Sequence, residues 1–201
     1  MKRVRLKVVQ IATFLLLQIV MTTAVHAQLT IEITQGVDSP VPIAVVPMGF
    51  NGEGSVPEDV GEIINADLRR SGLFRPMPKG DMLSFPRNSY EISYRDWRIL
   101  GMEYLVIGNV TQKADKYSLR FELFNILTQR TVHSQTVEAG LDQLRDLAHY
   151  ASDQVFEKIT GIRGIFSTQM IYVEAFQNGN ASQDRFRLML ADVDGARPKM
   201  L

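Results

Sequence analysis

Apolar residues change their spacing several times along the chain, and each change predicts an element. Leu29-Thr30-Ile31-Glu32-Ile33 alternates apolar with polar, the period of a short strand. Asp38-Ser39-Pro40 breaks it. Pro42-Ile43-Ala44-Val45-Val46-Pro47 is then a continuous, largely β-branched run, which looks like a buried strand. Met48 to Gly54 is rich in glycine and reads as a loop. Ser55 and Glu58 have capping-box spacing, with Pro57 in the expected first turn. Val60, Ile63, Ile64 and Leu68 follow on one helical face, and Gly72 supplies the stop. Leu73 to Pro76 brings the chain back toward the sheet.

Pro76 to Pro86 is loop-like, and Tyr94 to Leu100 predicts a short helix with Trp97 and Leu100 inward and Gly101 closing it. Tyr104–Thr111, Tyr117–Thr128 and Thr131–Glu138 are strand-like. The short junctions at Lys113–Lys116 and Gln129-Arg130 imply an antiparallel meander. Leu141 to Ile159 is the longest helical pattern. Its stripe is Leu141, Leu144, Ala148, Ala151, Val155 and Ile159, and Gly161 ends it. This order predicts an α/β fold, a mixed-sheet domain with two main helices over residues 28–163. From Ile165 the pattern changes. Strands Met170–Phe176 and Phe186–Ala191 flank a polar hairpin, Gln177–Arg185, and Asp192-Val193-Asp194-Gly195 marks a further turn. Two strands and the start of a third do not make a stable sheet alone. Residues 164–201 therefore look like the opening of a repeat architecture.

The N-terminus alters how the charge is read. Met1 to Lys7 is basic, Val8 to Val20 is mostly apolar, and Val25 and Ala27 stand where a signal peptidase favours small side chains. Gln10 and Gln18 interrupt the apolar run, which falls short of the roughly 20 residues of a firm membrane span. Cleavage after Ala27 and export to the periplasm are therefore expected, rather than an uncleaved anchor. The region has no lipobox cysteine. Loss of Lys2, Arg3, Arg5 and Lys7 leaves 18 basic residues against 22 acidic ones. That sign disfavours a nucleic-acid partner, which needs cations to displace phosphate counterions. The chain has no cysteine, which excludes disulfides, thiolate nucleophiles and cysteine metal ligands.

Candidate chemistry is sparse. Gly49 to Gly54 has the glycine spacing of a phosphate-binding loop, but Ser55 follows where a Lys-Ser/Thr pair is required. His133 and His149 have no metal-ligand spacing to another histidine or a carboxylate cluster, so both are expected to be structural. Asp192, Asp194 and Gly195 resemble the start of a calcium loop, yet the chain ends before the downstream glutamate, and Asp-Gly also favours a hairpin turn. There is no Gly-x-Ser-x-Gly elbow. Trp97 suits a core position beside Leu100 better than an exposed docking role, and Asp115-Lys116 suits a solvated turn. The expectation is a protein without enzymatic activity, cofactor, metal or small-molecule substrate.

Several segments, taken in order, resemble the TolB family of the periplasmic Tol-Pal system. They are Gly36-Val37-Asp38 before Pro42–Pro47, Ile64–Leu68 with Ser71-Gly72-Leu73-Phe74, and Asp96-Trp97-Arg98 with Leu100-Gly101. Tyr104–Gly108, Phe166-Ser167-Thr168 with Ile171-Tyr172-Val173, and Ala191–Gly195 continue the match. The resemblance implies an N-terminal α/β domain followed by a six-bladed β-propeller, of which this sequence would hold only the first strands. It also implies protein partners in place of a substrate: TolA, anchored in the inner membrane, and the peptidoglycan-associated lipoprotein Pal. In the family the mature N-terminal segment engages TolA, which here falls on Gln28, Leu29, Thr30, Ile31, Glu32 and Ile33. The propeller face that binds Pal would lie beyond Leu201. The implied role is a link between inner-membrane Tol proteins and Pal that supports outer-membrane integrity and constriction during cell division, with membrane contact only through partners. The alternative is the N-terminal part of an exported propeller-containing hydrolase whose catalytic domain lies further on. An RNA-binding α/β domain fits neither export nor the negative charge.

Overall fold

A computed structural model describes residues 39–176 and 185–201. The residues expected to form the export signal and the strand Leu29–Ile33, and most of those expected to form the hairpin Gln177–Arg185, lie outside the described residues. In chain order the elements are β1 Val41–Val45, β2 Gly49–Asn51, α1 Val60–Arg70, β3 Phe74–Pro76, α2 Tyr94–Ile99, β4 Tyr104–Lys113, β5 Lys116–Asn125, β6 Arg130–Gly140, α3 Leu144–Thr160, β7 Gln169–Phe176, β8 Arg185–Asp192 and β9 Lys199–Met200. The expected α/β arrangement is borne out, with a mixed sheet ordered β3-β1-β4-β5-β6 and β2 also pairing with β4. β1 runs parallel to β3 and β4, whereas β4, β5 and β6 form the antiparallel meander.

The β-branched run becomes β1 because both faces of the sheet are covered. Ile43 and Val45 pack with α1 and α3, while Ala44 and Val46 pack on the opposite side with Trp97, Leu105 and Ile107. The period-two alternation of β5 sends Tyr117, Leu119, Phe121 and Leu123 into the helix-side core. The same alternation puts Phe124 and Ile126 in the other core, and the register shift between Leu123 and Phe124 is taken up by an extra residue on β6. Trp97 is buried there, as its place beside Leu100 predicts.

Four local expectations are corrected. Glycine-rich Met48–Gly54 is not wholly loop, since Gly49–Asn51 pairs in parallel with Asn109–Thr111 of β4. Helix α1 is not capped by Ser55. Its N-cap is Asp59, whose carboxylate accepts the Glu62 N–H at 3.1 Å, and Ser55 and Pro57 lie exposed before it. Asp59 and Glu62 repeat the three-residue spacing just inside the apolar stripe, so the cap closer to that stripe is the one used. Leu141 is exposed and precedes α3, which starts at Leu144 because β6 continues to Gly140. β5 stops at Asn125, not Thr128, because Asn125 Oδ1 accepts the Thr128 N–H and turns the chain.

Gly161 takes the left-handed C-cap of α3 at φ 73°. Three residues on, Gly164 passes so close to α3 that a Cβ there would lie 2.5 Å from Asp153 Cα, so only glycine fits. That approach lets Asp153 accept the backbone N–H groups of Phe166 and Ser167 at 2.6 and 3.1 Å. It also drops Phe166 into the helix-side core, edge-on to Phe156. Phe166 thus fills that core from beyond the expected boundary after Arg163. The second sheet then forms in the order β7-β8-β9, all antiparallel.

Candidate functional site

Among the described residues, polar chemistry concentrates where the second sheet meets α1 and α3. Asp67 projects from the buried side of α1. Arg145 and His149, four residues apart on α3, share the facing side. The turn after β8 brings Asp192, Asp194 and Arg197 to the same place, closed by Gly195 N–H donating to the Asp192 carbonyl at 2.8 Å.

His149 and Asp67 are both nearly completely buried and joined at 2.7 Å, Nδ1 to Oδ2. Arg70 donates to the other Asp67 oxygen at 2.6 Å. Arg145 donates to Glu58 at 2.6 Å and to Asp194, and its Nε lies 3.6 Å from Asp192 Oδ2. Arg197 donates through Nε to Asp192 at 2.7 Å and also pairs with Asp146. Burial alone would push the Asp194 carboxyl up, but the Ala196 N–H and the Arg145 guanidinium outweigh it and hold the group below its usual range. Burial likewise acts to lower Arg145, and its bonds to Glu58 and Asp194 more than reverse this. Arg197 is raised by its bonds to Asp192 and Asp146.

The arrangement is a charged tie between elements. The arginines and Asp67 are committed to partners, and His149 is bonded to a carboxylate with no nucleophile between them. Asp192 and Asp194 do form a turn, as Asp-Gly predicts, and both carboxylates are engaged by arginines. Sequence spacing misses this cluster because its members come from positions as far apart as Glu58 and Arg197. The one local signal is that Asp67 shares the buried side of α1. Beside the cluster lies a mainly apolar groove of about 410 Å³ formed by Phe156, Ile162, Ile165, Phe166 and Val193, with Arg70 and Arg163 at its rim.

The other singled-out residues lie elsewhere. His133 sits half-buried in β6, with Nε2 3.0 Å from Gln135 Oε1 and its ring against Phe121. Asp115 is exposed in the β4–β5 turn. The proposed partner segment, Gln28 to Ile33, lies outside the described residues.

The TolB amino-terminal domain family matches residues 29–132. The chain belongs to the TolB family. It is 44% identical over 185 residues to the Tol-Pal system protein TolB of Marinomonas sp. (strain MWYL1), covering 91% of this chain and 42% of that relative. Against the protein of the same name from Pseudomonas syringae pv. syringae (strain B728a) the identity is 46% over 167 residues, covering 83% and 38%. The crystal structure of TolB from Acinetobacter baumannii superposes with a TM-score of 0.68 at 29% identity, covering 84% of this chain and 40% of that one. The chain thus spans about 40% of the length of these TolB proteins. The mixed-sheet part is a TolB N-terminal domain, and the second sheet corresponds to the first strands of the propeller.

Proposed function

We propose that this chain is a periplasmic, non-catalytic protein-interaction component of the Tol-Pal envelope system. It links inner-membrane Tol proteins to a Pal-like lipoprotein and supports outer-membrane integrity and constriction at division. Membership of the TolB family carries this reading, since the relatives that match most of the chain are named as Tol-Pal system proteins. A site in which each carboxylate is bonded to an arginine fits a scaffold better than a reaction centre.

The TolA-like partner docks on Gln28, Leu29, Thr30, Ile31, Glu32 and Ile33. An alternating segment bounded by Gly36 and Pro40 can add to a partner's sheet edge, with backbone hydrogen bonds giving affinity and alternate side chains giving specificity. Leu29, Ile31 and Ile33 form one face of that strand. Ile31→Pro removes a backbone donor and should abolish strand addition without unfolding the domain. The test is calorimetric titration of a TolA-like C-terminal domain into three chains: one starting at Gln28, its Ile31→Pro variant, and one starting at Gly36. The first should bind and the other two should not. Equal binding by all three would move the partner site elsewhere.

A further inference from the structure

His149 Nδ1 lies against a carboxylate, which only accepts, so that nitrogen carries the ring proton. In the neutral ring Nε2 is then a bare lone pair. It has no hydrogen-bond partner, the residue is 2% exposed, and Asp194 Oδ2, which also accepts from Arg145, lies 3.7 Å away. An acceptor facing a carboxylate is unfavourable unless a cation stands between them. The wider cluster has the same imbalance: Glu58, Asp67, Asp146, Asp192 and Asp194 face only three guanidiniums, Arg70, Arg145 and Arg197, leaving two negative charges.

We propose that His149 Nε2, Asp192 and Asp194 bind one divalent metal ion, Zn²⁺ by donor type. One donor atom from each residue already lies within 4.8 Å of the other two. Tetrahedral zinc bonds of about 2.0–2.2 Å put ligand atoms about 3.4 Å apart, so rotations of the two aspartates close the set. The Asp67–His149 bond is the carboxylate–histidine arrangement that fixes a ligating imidazole and raises its basicity. One nitrogen with two carboxylates suits zinc, whereas calcium wants a larger all-oxygen shell. Arg145 and Arg197 compete for the same acids, but a carboxylate offers about four lone-pair sites, so each can serve the ion and an arginine together. The cleft beside His149 and Asp192 is also lined by Ser167, Thr168 and Gln169, giving a water access to the fourth position. Bound there, the ion fastens the turn after β8 to α3.

The test is calorimetric titration of ZnCl₂ into the chelator-treated full chain at neutral pH, with thermal unfolding alongside. One ion should bind with a dissociation constant below about 10 μM, and the thermal transition should rise. CaCl₂ and MgCl₂ should do neither. Asp194→Asn and His149→Gln should each weaken binding by at least about tenfold, while the double variant His26→Ala/His133→Ala should bind like the parent. Because His149→Gln can lose the fold, Co²⁺ is also added to the unaltered chain, where tetrahedral visible bands should appear and be displaced by Zn²⁺. Absence of zinc uptake would overturn the proposal. So would uptake that survives Asp194→Asn but is lost in the His26/His133 variant. Nitrogen NMR showing His149 protonated at both ring nitrogens in excess zinc would assign the missing cation as a proton and overturn it equally.

Discussion

Each sheet of this chain contains long alternating strands, β5 in the first and β7 in the second, and the sheets differ in what covers them. Leu119 and Phe121 share a core with α1 and α3, Leu105 and Ile107 share one with Met77, Met82, Ile92 and Trp97, and all four are fully buried. In the second sheet Ile171, Val173 and Phe186 stay 60–68% exposed, and Ala191 and Asp192 are its buried residues. The first sheet is held by apolar packing. The second is held at one end, through Phe166, Asp153 and the arginine–aspartate tie. Alternation therefore reports that a strand forms, and the layer laid on it decides whether the strand adds stability.

The largest expected effect tests that contrast directly. Phe121→Ala should cost about 3–5 kcal/mol in urea unfolding, because it leaves a cavity in a packed core. Ile171→Ser should stay within about 0.5 kcal/mol of the parent, as an exposed substitution does. Similar losses from both would mean that the second sheet is covered in solution. Next in size is Asp153→Ala. It strips two backbone N–H groups of their acceptor where the chain leaves α3, and should cost about 1–3 kcal/mol.

Smaller effects sharpen how the first region is set. Asp59→Ala should cost about 1 kcal/mol through the lost helix cap, and Ser55→Ala almost nothing. The reverse order would restore the Ser55 cap. Glu91 should show the weakest effect, and only through pH. The Arg87 N–H, then the Asn88 side chain, hold its carboxyl below the ordinary value of 4.5. A depressed folded value means that its contribution is present above pH 4.5 and is lost as pH falls through the folded value. Thermal scans of the parent and Glu91→Gln should therefore differ near neutrality and converge in acid. Divergence in acid would reverse the sign.

Much of the fold was legible because burial writes a period into the chain. The stripe Val60, Ile63, Ile64 and Leu68 is buried as predicted, and the meander pairs through the short turns that its junctions imply. Boundaries were less legible where two signals compete. Ser55 and Asp59 both offer caps, and Leu141 continues the apolar stripe of α3 although the chain there is still leaving β6. Strand β2 was hidden because the glycines of Gly49–Asn51 and its surroundings carry no side-chain period. The charged cluster was illegible because its members meet only after α1, α3 and the turn after β8 have packed together.

Two shortened chains test most directly the claim that the first region is self-sufficient and carries the second. One ends at Thr168 and keeps Phe166 with both Asp153 bonds, and the other ends at Gly164 and loses them. Urea unfolding followed by Trp97 fluorescence should show a single cooperative transition for the first, close to that of the full chain. The second should lose about 3–5 kcal/mol, the cost of emptying a phenylalanine site in the core. Non-cooperative unfolding of the chain ending at Thr168, or equal stability of the two, would contradict the account.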